Sequence, residues 1–145
     1  MAGMPREPET TTVLFACVQN AGRSQIAAAL FNRHADPARA RAISGGTRPA
    51  PAVHPAVAEA LREIGIETAG AVPRRLTPEL AAGAAWLITM GCGYECPVVP
   101  GARVEDWALE DPAGKPLERV RAIRDQIERR VRALIEAQRW GRALP

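Results

Sequence analysis

A chain of 145 residues with 47% apolar and 24% charged residues has the make-up of one folded domain with a real core. Its net charge of +3 is a mild excess without a concentrated basic patch, which argues against a nucleic-acid surface. No apolar segment reaches the roughly 18 residues of a membrane span, and with 4% aromatics the core must be built mostly from Ala, Val, Leu and Ile.

Residues 1–11, "MAGMPREPETT", lack the apolar centre of a secretory signal and read as a flexible lead. A soluble, cytoplasmic protein with neither a nucleic-acid nor a membrane partner is expected. In that reducing setting three cysteines are buried hydrophobes or working thiols, not a static disulfide framework. The folded domain is expected over residues 12–139, with 140–145 as a tail. Thr11–Cys17, "TTVLFAC", is a nearly continuous apolar run and predicts a buried parallel strand. Arg23–Ala35 predicts a helix, with Ile26, Ala29, Leu30 and Arg33 at helical offsets. Ala40–Thr47 reads as a second strand ending in a Gly turn, and Arg48–His54 as a stiff loop. His54–Ile66 predicts a helix with Val57, Leu61 and Ile64 on one face and Gly65 as its stop. Thr77 caps a short helix with Glu79 in its first turn, and a strand follows over Ala84–Met90. "ARVEDWAL" holds a last short strand. Pro116–Arg139 repeats apolar residues at steps of three and four, an amphipathic surface helix. The alternation predicts a single α/β sheet with mostly parallel strands.

In open α/β sheets ligands bind beyond the carboxyl ends of the strands, which is where Cys17 falls. Residues Val18–Ser24 turn into a helix and carry N–H groups without intrahelical partners. Such a run makes an anion-binding concavity, and the helix dipole adds positive potential. Gly22 permits the tight turn, and Arg23 offers a planar fork for two oxygens of a tetrahedral oxyanion. The same field favours the thiolate of Cys17, to which Ser24 is placed to donate. The spacing Cys, five residues, Arg is common by chance; its strand–loop–helix setting gives it meaning.

At these residues "VLFACVQNAGRSQ" resembles the active-site loop of the low-molecular-weight protein tyrosine phosphatase superfamily, and most of all its arsenate reductases. The likeness continues in "TMGCGYECPVVPG" and "EDWALEDPAGKP" and covers nearly the whole chain. It implies a single three-layer α/β domain, a central four-stranded parallel sheet flanked by helices. It implies that Cys17 forms an adduct with arsenate held by Val18, Gln19, Asn20, Ala21, Gly22, Arg23 and Ser24. Asp111 matches the Asp-Pro general acid of the superfamily and is preferred to Asp106 and Glu110. Cys92 matches the second thiol, which attacks the sulfur of Cys17 and releases arsenite. Cys96 matches the third, which takes over the disulfide and passes it to an external reductant.

No bound cofactor is implied. The reductant is thioredoxin or, in another subgroup, mycothiol with a mycoredoxin or glutaredoxin-like protein. Three cysteines favour thioredoxin, while an Ala- and Arg-rich composition points toward the GC-rich genomes in which mycothiol is common. Only Gly93, Tyr94 and Glu95 separate Cys92 from Cys96, fewer than in the thioredoxin-coupled members, and "GCGYEC" reads as mobile. Cysteines four apart on a helical turn have Cα atoms roughly 6 Å apart, within disulfide reach. Some members bind potassium through the loop asparagine and a glutamate. Here Ala28 stands at the glutamate's position, so Asn20 is assigned to holding the loop's shape. A zinc site would need a second ligand pair after Cys92 and Cys96, and none follows; His34 and His54 read as isolated surface or cap residues. Two other functions compete. A phosphatase on the same scaffold would want aromatics after Asp-Pro, which "DPAGK" lacks. A non-catalytic oxyanion sensor would have no use for an ionised Cys17.

Overall fold

Four parallel strands in the order β2-β1-β3-β4 form the sheet of the computed structural model, which describes residues 10–92, 96 and 99–142. They are β1 (Thr11–Cys17), β2 (Ala40–Gly46), β3 (Trp86–Thr89) and β4 (Arg103–Asp106). The register pairs Cys17 with Gly46, Ala16 with Thr89, and Thr89 with Asp106, so all four carboxyl ends reach one edge. The helices are α1 (Arg23–His34), α2 (Pro55–Arg62), α3 (Pro78–Ala81) and α4 (Leu117–Gln138).

Strand β1 lies between two partners and is buried from Val13 to Cys17, as its unbroken apolar run requires. Its side chains alternate between two apolar clusters. Val13, Phe15 and Cys17 pack with Ile26, Leu30 and Phe31 of α1, Leu61 of α2 and Ile127 of α4. Leu14 and Ala16 pack with Ala81 of α3, Leu87 of β3 and Cys92. The sheet is thus a middle layer, with the larger core on the Cys17 face. Each fully buried Leu, Ile or Phe there contributes about 2 kcal/mol. Arg124 of α4 pins α2 by donating to the Ala60 carbonyl at 2.7 Å and to Glu63 at 3.0 Å.

Two elements differ from the sequence reading by more than one residue at an end. Helix α2 stops at Arg62, because Ile64 N–H bonds back to Leu61 and Gly65 turns left-handed at φ +84°. Strand β3 is shorter than Ala84–Met90, although Ala85 and Met90 N–H still donate to Thr12 and Ala16 of β1. Packing continues past residue 139. Arg139 takes a left-handed conformation at φ 58°, Trp140 N–H bonds to the Ile135 carbonyl, and the Trp140 ring returns onto Phe31 and Trp86. No helix among the described residues is long and apolar enough to cross a membrane.

Candidate active site

Cys17 ends β1 with 2% of its surface exposed, and the loop to α1 begins at once. Four carbonyls along this turn are tied to the segment after β2. Thr47 N–H donates to Cys17 at 3.2 Å, Arg48 to Val18 at 2.8 Å, Ala50 to Gln19 at 2.9 Å and His54 to Ala21 at 3.0 Å. The N–H groups of Val18–Gly22 donate to no backbone carbonyl among the described residues. With the carbonyls engaged on one strap, these N–H groups and the start of α1 remain for an anion. Gly46 lets the strap come this close, since a Cβ there would sit 2.5 Å from the Val18 oxygen.

Cys17 Sγ lies 2.8 Å from Ser24 Oγ. Asn20, fully buried and left-handed at φ 49°, donates from Nδ2 to the same Ser24 oxygen at 2.7 Å. Ser24 therefore accepts from Asn20 and keeps its own hydrogen to donate to sulfur. Asn20 Oδ1 accepts from Arg74 N–H at 2.9 Å and from Gln25 Nε2 at 3.3 Å. Two donors on that oxygen suit an amide that sets loop geometry, and they leave it poorly placed to ligate a cation.

Arg23 is 8% exposed, and its fork is already partly oriented. Nη1 donates to the Leu109 carbonyl at 3.3 Å and Nη2 stands 3.6 Å from Asp111 Oδ2, while buried Nε has no partner among the described residues. A buried guanidinium N–H left over at the mouth of an N–H-lined loop suits an oxyanion. The neighbouring carboxylates are engaged elsewhere. Glu110 is gripped by Arg119 at 2.5–3.1 Å, and those bonds hold its carboxyl below the usual range. Asp106 accepts from Thr89 Oγ1 at 2.6 Å. Asp111, with half its side chain exposed, is the carboxylate beside Arg23. Its loop rests on the cradle through Pro112: a Cβ on Gly22 would lie 2.8 Å from Pro112 Cγ.

Cys92 and Cys96 form a disulfide with Cα atoms 5.3 Å apart, and Cys17 is free. Neither cysteine lies in an assigned helix; the pair follows the turn at Gly91. Cys92 is buried on the opposite sheet face from the Cys17 side chain, yet its Sγ comes within 3.9 Å of the Ala16 carbonyl oxygen. Cys96 is half-buried and packs on the same cluster as Val99, which lines an apolar groove of about 350 Å³ with Leu76, Thr77, Pro78 and Ala81. The stretch expected to be mobile falls largely on residues 93–95, outside the described residues.

The structure thus gathers Cys17, Val18–Ser24 and Asp111 at one point and sets the disulfide just below. Two participants escaped the sequence reading. Gly91, at φ +93°, lies against the Arg23 guanidinium so closely that a Cβ would overlap Nη1. A glycine directly after a strand and before a cysteine was the available signal. His54, read as an isolated cap, places Nε2 3.1 Å from Gln19 Oε1.

Residues 12–142 match the low molecular weight phosphotyrosine protein phosphatase family. A Halobacterium salinarum protein, provisionally named an arsenate reductase, is 39% identical over 84% of this chain and 89% of its own length. The glutaredoxin arsenate reductase of a Synechocystis strain is 33% identical, over 85% of this chain and 95% of its own. Among solved structures, the thioredoxin-dependent arsenate reductase of Corynebacterium glutamicum superposes with a TM-score of 0.77 at 38% identity. That match covers 90% of this chain but 62% of the other, so the present chain spans under two thirds of that protein.

Proposed function

The chain belongs to the low molecular weight phosphotyrosine protein phosphatase family, and from that premise we propose that it reduces arsenate to arsenite with its own thiols and an external thiol reductant. The observation that carries this reading is the Cys92–Cys96 disulfide at the edge where Cys17 meets its N–H-lined loop. Phosphoester hydrolysis has no need of a second and third thiol, whereas reducing As(V) requires two electrons. Arsenate reductases among its relatives support the same reading.

In this scheme arsenate enters the cradle of Val18–Ser24, with the Arg23 fork on two of its oxygens. Cys17 attacks arsenic as a thiolate steadied by Ser24, and Asp111 protonates the departing oxygen, which leaves as water. The Cys92 thiolate then attacks Cys17 Sγ. The pair of the S–As bond passes to arsenic, arsenite departs, and a Cys17–Cys92 disulfide remains. Cys96 attacks Cys92, restores the Cys17 thiolate and leaves Cys92–Cys96 oxidised, the pairing that the structure holds. An external dithiol attacks that bond. A half-buried Cys96 that packs on the same apolar cluster as the groove residues Leu76 and Val99 supports a protein partner such as thioredoxin over a small polar thiol.

Mass spectrometry of thiol connectivity after one turnover tests the scheme. The expected product is a Cys92–Cys96 bond with Cys17 free. A small-thiol adduct on Cys17 with no internal disulfide would overturn the relay.

A further inference from the structure

His54 precedes Pro55, which opens α2, and its backbone is extended at φ −59° and ψ 134°, as a residue before proline prefers. It occupies the N-cap position, yet its side chain makes no capping hydrogen bond. The imidazole turns instead to the loop after β1, where Nε2 meets Gln19 Oε1 at 3.1 Å. With the amide oxygen as acceptor, Nε2 carries the hydrogen. The backbone N–H of the same residue donates to Ala21 at 3.0 Å, so His54 grips the loop at two points on either side of Asn20.

The ring also touches the place where the Asp111 loop rests. A Cβ built on Gly22 would stand 3.6 Å from His54 Cδ2 and 2.8 Å from Pro112 Cγ. The imidazole edge and the proline ring therefore converge on the same glycine. Asp111 itself has few anchors: Oδ1 accepts from Ala113 N–H at 3.0 Å, a bond within its own turn, and Oδ2 is 3.6 Å from Arg23 Nη2. Apart from the Arg23–Leu109 bond, what seats this loop on the cradle is the packing of Pro112 against Gly22, and the His54 ring edge lies beside the same glycine.

Resting on the reading of Asp111 as the acid, we propose that His54 is a positioning residue that holds the Asp111–Pro112 loop over the loop that carries Arg23. It takes no proton from the reacting atoms. It acts by keeping Asp111 within reach of the oxygen that must leave, where a displacement of about 1 Å can cost a hundredfold in rate.

The test is a double-mutant cycle on arsenate turnover, driven by a small dithiol so that no protein reductant intervenes. His54→Ala should lower kcat about tenfold and change KM less than threefold. His54→Gln, which restores a donor to Gln19 and part of the bulk beside Gly22, should recover most of the loss. Asp111→Asn should lower kcat about a hundredfold, and adding His54→Ala to it should cost less than twofold more. Independent, multiplying losses would overturn the proposal, and so would a rise in KM alone, which would mark His54 as a shaper of the cradle only. An Asp111→Asn variant as fast as the parent would instead strike the acid assignment itself and take the proposal with it. Should His54→Ala fail to fold, the same cycle run with His54→Gln decides: it should retain at least a third of the parent kcat and add nothing to Asp111→Asn.

Discussion

Two regions meet at the carboxyl edge of the sheet, and they are built to opposite rules. The turn from Cys17 to Ser24 is bound on nearly every side: four of its carbonyls accept from one strap, and buried Asn20 links three neighbours. The region after β3 is held differently, by apolar packing around Cys92, one disulfide and the contact of Gly91 with Arg23. The difference follows from the chemistry proposed for each. Gripping a tetrahedral anion rewards dipoles fixed before the ligand arrives. Passing a disulfide from sulfur to sulfur rewards access and a chain that can change partners.

Breaking each region in turn should separate binding from electron transfer, and the largest effects come from the sulfurs. Cys17→Ser should release no arsenite under any reductant. Cys96→Ser should stop thioredoxin-driven turnover after the first equivalent of arsenite while leaving phosphate affinity, measured calorimetrically, within about twofold of the parent. Sustained turnover by that variant would erase the proposed division of labour.

A second substitution probes the seam between the regions. Gly91→Ala places a side chain at φ +93° and against the Arg23 guanidinium. The backbone strain alone should cost about 1–3 kcal/mol, seen as a lower unfolding midpoint. The displaced fork should raise KM for arsenate about tenfold, with a smaller change in kcat. An unchanged KM would mean that Arg23 can re-seat itself and that the two regions are independent.

The smallest effect comes from a control remote from both. Glu63 is held below the usual carboxylate range, first by its hydrogen bonds from Arg121 and then by those from Arg124. A depressed native pKa adds stability above the unfolded value of 4.5 and loses it as pH falls through the native one. Thermal unfolding midpoints should therefore fall as pH drops below 4.5, and Arg121→Ala should flatten part of that slope without altering arsenate turnover. The effect should be small, because the pair is exposed to solvent.

Much of this was legible in the linear chain. The unbroken apolar run of β1, the apolar steps of three and four along α4 and the Thr77 cap carry their own periodicity or local bonding, and each element appears where that pattern places it. The cradle was legible for the same reason, since a strand, a tight turn and a helix start within eight residues. The end of α2 and the return of Trp140 to the core were not. Both depend on left-handed residues whose direction is decided by what the chain packs against afterwards.

The linear chain was enough for the order of elements and for the Cys17–Arg23 turn, because these rest on neighbours a few residues apart. Folding alone settled which carboxylate faces Arg23, that Gly91 lies against the guanidinium, and that His54 reaches across to Gln19 and Gly22. Those contacts join residues tens of positions apart, and no local pattern encodes which side chain a folded chain will lay beside another.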